Sequence, residues 1–201
     1  MLHPTPMLKE TASQTAGPYV HIGMTPNFCD IRGVFPADLG ATMLTEATAG
    51  ERIEIAGRVI DGDGVPVIDA VIEIWQADAS GVYRTHAQAG EFTGWGRQPM
   101  SDAGAYSFKT IKPGRVAGPD GKPMAPHISL WIVARGINIG LQTRLYFEDE
   151  AEANATDWVL SRVQSPIRRK TLIARKEAGE VPRYVLDIHL QGENETVFFD
   201  L

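Results

Sequence analysis

Cysteine is almost missing from this sequence. Cys29 stands alone among 201 residues, which excludes an intrachain disulfide and any zinc site built on paired thiolates. No apolar run is long enough to span a bilayer, and the start lacks a basic segment followed by an apolar one. A cytoplasmic protein with no membrane partner is therefore expected. Positive charge is scarce: 19 Lys and Arg stand against 25 Asp and Glu, a net charge of −6. The longest basic cluster, Arg168-Arg169-Lys170, reads as a solvated surface, so the balance argues against nucleic acid as a partner. Also absent are a glycine-rich phosphate loop, a glycine-flanked nucleophilic serine and the spaced acids of an EF-hand. Helical periodicity is missing over any long stretch.

What the sequence has instead is turn chemistry and short apolar alternation. Twenty Gly and 13 Pro are spread along a chain that is 43% hydrophobic, enough for one core and suited to an all-β protein with many turns. Residues 1–50 are broken by Pro4, Pro6, Pro18, Pro26 and Pro36, and read as an extended N-terminal arm packing on something else, a partner subunit. Residues 51–201 carry the regular pattern. Ile53, Ile55 and Val59 alternate with polar neighbours, and Asp61-Gly62-Asp63-Gly64 makes a turn. Val71, Glu73 and Trp75 face one way while Ile72, Ile74 and Gln76 face the other. The sequence leaves Glu73 either on an exposed face or paired with a cation. Residues 84–100 read as loop, 105–110 and 141–147 as strands, and 148–154 as a short helical turn. Ser165-Pro166 reads as a cap opening another. Residues 171–175 and 184–191 read as a hairpin around Gly179, with 196–199 closing the set. About eight short strands with turns between them predict a two-sheet β-sandwich.

The central strand is Pro126-His127-Ile128-Ser129-Leu130-Trp131-Ile132-Val133-Ala134-Arg135. Alternation puts His127, Ser129, Trp131, Val133 and Arg135 on one side. Ser129 lies two residues from His127, but no orienting acid accompanies them, so they do not read as a nucleophile pair. Taken alone, Tyr83 reads as a buried tyrosine with a bonded hydroxyl and His127 as a hydrogen-bonded core histidine. His3, His86 and His189 read as exposed. His21 reads as a structural or pocket-lining histidine.

A wider pattern surrounds these residues. Trp75-Gln76-Ala77-Asp78, then Gly81-Val82-Tyr83, Thr110-Ile111-Lys112-Pro113-Gly114 and Pro126-His127-Ile128 together resemble the intradiol ring-cleavage dioxygenases. That family holds ferric iron with two tyrosines and two histidines, the histidines as His-x-His on one strand. Phenolates are hard anionic donors that stabilise the ferric state, and imidazoles complete the sphere. Matched position by position, Tyr83 falls at the first tyrosine and His127 at the first histidine. Val116 falls at the second tyrosine and Ser129 at the second histidine. Valine offers no donor and a serine hydroxyl is a poor substitute for imidazole. The resemblance thus implies vestigial metal positions at Tyr83, His127, Val116 and Ser129, with no metal bound and no complete catalytic set in this chain.

Residues 13–19, 134–139 and 191–200 resemble the metal-free subunit of the family's heteromeric, protocatechuate-cleaving members. The resemblance implies a homologous beta subunit that carries ferric iron, with αβ protomers in a higher oligomer. It also implies protocatechuate and O2 as substrates, opened to 3-carboxy-cis,cis-muconate. Thr15, Gly17, Pro18 and Tyr19 would then approach the substrate in the partner's pocket. Arg135 would face the same mouth, where a guanidinium suits a carboxylate; alternatively, it pairs with an acid at a subunit seam. Two other readings stay open. One is a self-sufficient intradiol dioxygenase that borrows ligands such as His21 or His189. The other is a non-enzymatic sandwich that binds an aromatic acid.

Overall fold

Alternating β-branched and aromatic residues favour a pleated, half-buried surface, and that preference organises the chain. The computed structural model describes residues 12, 14–85, 91–119 and 121–200. Nine strands follow: β1 Arg52–Ile60, β2 Val71–Trp75, β3 Trp95–Pro99, β4 Ala105–Ile111, β5 His127–Val133, β6 Leu141–Phe147, β7 Ile173–Glu177, β8 Arg183–Val185 and β9 Ile188–His189. They hydrogen bond in the order β3-β2-β5-β6-β7-β8-β1-β4, with β9 beside β1. β7 pairs parallel to β6 and antiparallel to β8, and so joins the two halves. Ile53 and Ile55 of β1, Phe108 of β4, Ile72 and Ile74 of β2, and Ile128, Leu130 and Ile132 of β5 all belong to one buried cluster. The two halves therefore face each other across a shared core, the sandwich expected from the alternation.

Among the described residues, three short α-helices decorate the strands: α1 Pro18–Met24, α2 Ala151–Ala155 and α3 Pro166–Lys170. Ser165 caps α3, its hydroxyl accepting from the Arg168 amide at 3.4 Å, as its place before Pro166 predicted. β7 and β8 form the hairpin expected around Gly179, but Ile188–His189 leaves it to run parallel to β1. No helix among the described residues is long and apolar enough to cross a membrane.

Three local expectations are corrected. The stretch 84–100 contains β3, because Trp95-Gly96-Arg97-Gln98-Pro99 lacks apolar alternation yet pairs along β2. Its register sets Arg97 opposite Glu73, and the two side chains meet at 2.6 Å while Trp95 Nε1 donates to the same carboxylate. Glu73 is thus the partner of a cation. Residues 196–199 form only an isolated bridge, Phe199 to Gln142. Within the arm, residues 18–24 are helical, with Pro18 at the first turn, where a missing N–H costs nothing. Part of the arm lies on the chain's own sandwich: the Gly40 carbonyl accepts from the Arg97 amide, and Met43 is in the core.

Candidate functional site

Tyr83 is delivered by a turn that one carboxylate builds. Asp78 accepts from the Ser80 amide at 2.9 Å, the Ser80 hydroxyl at 2.7 Å, the Val82 amide at 3.1 Å and Arg84 Nε at 2.8 Å. Burial pushes the Asp78 carboxyl up, but these donors outweigh it and hold its pKa below the ordinary value. The turn needs glycine at its tightest point. Gly81 has φ +82°, and a Cβ there would sit 2.1 Å from the Arg115 carbonyl. A Cβ on Gly114 would likewise meet the Ala79 carbonyl at 2.5 Å, and the Gly114 amide donates to the Asp78 carbonyl. Gln76, fully buried, receives a hydrogen bond from Thr110 and gives one to the Ile111 carbonyl. These contacts explain the spacing of the sequence motifs: they are two loops locked together.

His127 opens β5 and is 3% exposed. Its Nδ1 donates to the Ala125 carbonyl at 2.8 Å, which leaves Nε2 as an acceptor facing the Tyr83 hydroxyl at a long 3.4 Å. Burial, reinforced by the nearby Arg144 charge, pushes the His127 pKa down to about 4, so the imidazole is neutral. Burial also raises the Tyr83 hydroxyl above its ordinary value, and its ring stacks on Trp75 at 6.0 Å. Tyr146, opposite His127 across β5 and β6, closes the other side. Its hydroxyl donates to buried Asp157, which also accepts from the Ala125, Val159 and Leu160 amides.

Tyr83 and His127 therefore meet. Val116 is buried in the loop between β4 and β5, and Ser129 lies on β5 between Trp75 of β2 and Arg144 of β6. The donor set does not fit ferric iron. One phenol and one imidazole remain, with an alkyl group and an alcohol in the other two places. Among the described residues no group of three or more His, Cys, Asp or Glu is placed to hold a metal ion. His21 binds the Asp69 carbonyl and His189 lies on β9 beside Ile60, so neither completes the set. His3 and His86 lie outside the described residues.

A second cluster forms where β5 ends, roughly 20 Å from His127 by strand rise. Thr15 bridges Asn138, its hydroxyl accepts from the Gly136 amide at 2.8 Å, and the Gln14 carbonyl accepts from Ile139. Gly17 and Pro18 lead into α1, where Tyr19 is 84% exposed and His21 reaches Asp69. Arg135 pairs with Asp69 at 3.0 Å while its side chain stays 76% exposed. It borders a cavity of about 880 Å³ with Asp61, Asp63, Asn138 and Gln191. The arm and Arg135 thus share one surface. Asp69 is the acid that sequence reasoning left unnamed. Arg144, Tyr146 and Asp157 also went unnamed, because only the β5–β6 register reveals the first two and only its hydrogen bonds to Tyr146 and Ala125 reveal the third.

Known proteins share this architecture. The family model described as "Dioxygenase" matches residues 25–192. The alpha chain of protocatechuate 3,4-dioxygenase from Pseudomonas putida is 46% identical over 98% of this chain and 99% of its own. The alpha chain from Burkholderia cepacia is 39% identical over 96% and 98%. A beta chain of that enzyme from Burkholderia cepacia is 34% identical over 73% and 67%. Among solved structures, 3-chlorocatechol 1,2-dioxygenase from Rhodococcus opacus superposes with a TM-score of 0.62 at 21% identity, over 79% of this chain and 67% of that one. That likeness shows the fold. With the family model spanning the sandwich and relatives matched from end to end, the chain belongs to the dioxygenase family.

Proposed function

We propose that this chain is the metal-free alpha subunit of a protocatechuate 3,4-dioxygenase. It works in the cytoplasm beside a homologous beta subunit that holds ferric iron and cleaves protocatechuate with O2 to 3-carboxy-cis,cis-muconate. The observation that carries the reading is end-to-end likeness to two alpha chains, at 46% and 39% identity. The half-empty donor set of Tyr83, His127, Val116 and Ser129 supports it, since such a chain needs a partner for the oxidation. Here the chain's own part is shape and charge. Thr15, Gly17, Pro18 and Tyr19 wall the partner's pocket, and Arg135 supplies positive charge for the substrate carboxylate. The ion pair with Asp69 holds the guanidinium at that mouth and leaves most of it open to solvent. The arm, residues 1–50, packs on the partner, and residues 51–201 form the body.

Co-expression with a beta chain from the same organism tests the assembly. A stable heteromer is expected, with iron present in the complex and absent from this chain alone. A chain that purifies with its own iron, or that never associates, overturns the reading.

A further inference from the structure

The sheet face beside His127 carries a cation that forms no ion pair; the nearest carboxylate described, Asp157, is taken up by the Tyr146 hydroxyl and three backbone amides. Arg144 stands opposite Ser129 in the β5–β6 register, and His127 and Tyr146 are another facing pair on the same strands. All four side chains rise from the same face. The guanidinium hydrogen bonds with the Tyr146 hydroxyl from this face, while Asp157 accepts from the same hydroxyl. Arg144 Nη1 is buried and has no hydrogen-bond partner. None of the ion pairs among the described residues involves Arg144. An unpaired, half-buried guanidinium is costly to keep, and its persistence asks for a reason.

We propose that Arg144 is the resident cation of this site, placed among Tyr83, His127 and Ser129 so that the chain is closed to metal ions by charge as well as by missing donors. The inference rests on the metal-free reading above and extends it. Loss of two donors weakens a metal site, whereas a fixed positive charge on the same face opposes any divalent or trivalent ion through a poorly screened medium. It follows that returning one donor is not sufficient while the guanidinium remains.

Two single variants separate these effects, because each adds one imidazole beside Tyr83 and His127. Arg144→His removes the charge, while Ser129→His keeps it. Both positions are half-buried on the outer face, which leaves room for the ring. Cobalt(II) chloride is titrated into the full chain at pH 8 and followed by its visible ligand-field bands, with thermal melting as the check on folding. Arg144→His is expected to bind cobalt tighter than Ser129→His by on the order of a hundredfold. Equal binding by the two variants, or no binding by Arg144→His, overturns the proposal. Should Arg144→His fail to fold, Ser129→His combined with Arg144→Gln replaces it and must bind by the same margin over Ser129→His alone. Cobalt held by the unmodified chain at this site would overturn the metal-free reading as well, which distinguishes the two failures.

Discussion

His127 is kept neutral by burial, and this makes it a source of pH-dependent stability. Its pKa is pushed down to about 4 in the folded chain, against about 6.5 for an unfolded histidine. Below pH 6.5 the unfolded chain takes up a proton that the folded chain refuses, so the unfolded state gains. The folded state is at full strength above pH 6.5 and loses ground as pH falls toward 4, by roughly 3 kcal/mol if the whole gap is expressed. Denaturant unfolding between pH 4 and 7 measures this slope, and His127→Gln should flatten it. A variant that keeps the full slope would place its origin elsewhere. Arg135 supports a prediction of another kind. In the heteromer, Arg135→Ala should raise KM for protocatechuate several-fold, about the worth of one exposed charged contact. KM for unsubstituted catechol should barely change, and equal effects on both would remove the carboxylate role. At this scale the sequence was informative where a residue type carries its own chemistry. Tyr83 and His127 could be named because phenol and imidazole are donors. Arg144 and Asp157 could not, since an arginine in one strand and an aspartate in a loop gain meaning only from standing opposite Ser129 and from holding the Tyr146 hydroxyl.

The elements that were legible are those whose alternation matches their burial. β5 and β6 bury Ile128, Leu130, Ile132 and Leu145 on the core side, and their bounds follow the apolar pattern closely. β3 was hidden because its sequence has no such pattern. Its place depends on cross-strand partners, above all Glu73 with Arg97, whose side chains are 21% and 17% exposed. Glu73→Ala leaves a largely buried guanidinium without its anion and should cost about 1–3 kcal/mol in denaturant unfolding. Glu73→Ala and Arg97→Ala together should cost less than the sum of the two single changes, and simple additivity would show that the pair is not coupled. The turn before Tyr83 is a second case of local chemistry fixing an element. With φ +82° and no room for a Cβ, Gly81→Ala should cost about 1–3 kcal/mol and disturb the stacking of Tyr83 on Trp75. Near-ultraviolet circular dichroism reports that loss directly. An unchanged aromatic signal would mean that the turn yields without moving Tyr83.

At the scale of the molecule, seven of the thirteen exposed large apolar side chains among the described residues fall between Tyr19 and Leu39. Tyr19, Ile22, Phe28, Ile31, Val34 and Leu39 all lie in one stretch of the arm and are each at least 37% exposed, a concentration that a lone soluble domain rarely shows. The stretch is nonetheless held in shape. Asp38 accepts from the Asn27 amide at 2.8 Å, its side-chain amide at 3.1 Å and the Phe28 amide at 3.0 Å. A loop fixed by an internal carboxylate while its apolar residues point outward is organised before any partner arrives, which lowers the entropy cost of association. If the arm is the surface on which the beta subunit sits, Phe28→Ser with Val34→Ser should abolish co-purification while leaving the melting temperature of the chain alone unchanged. Asp38→Ala removes no outward-facing apolar group and should still weaken the heteromer, by loosening the loop, with about a tenfold rise in Kd for some 1.4 kcal/mol of lost preorganisation. Association unaffected by all three changes would place the interface on another face of the sandwich.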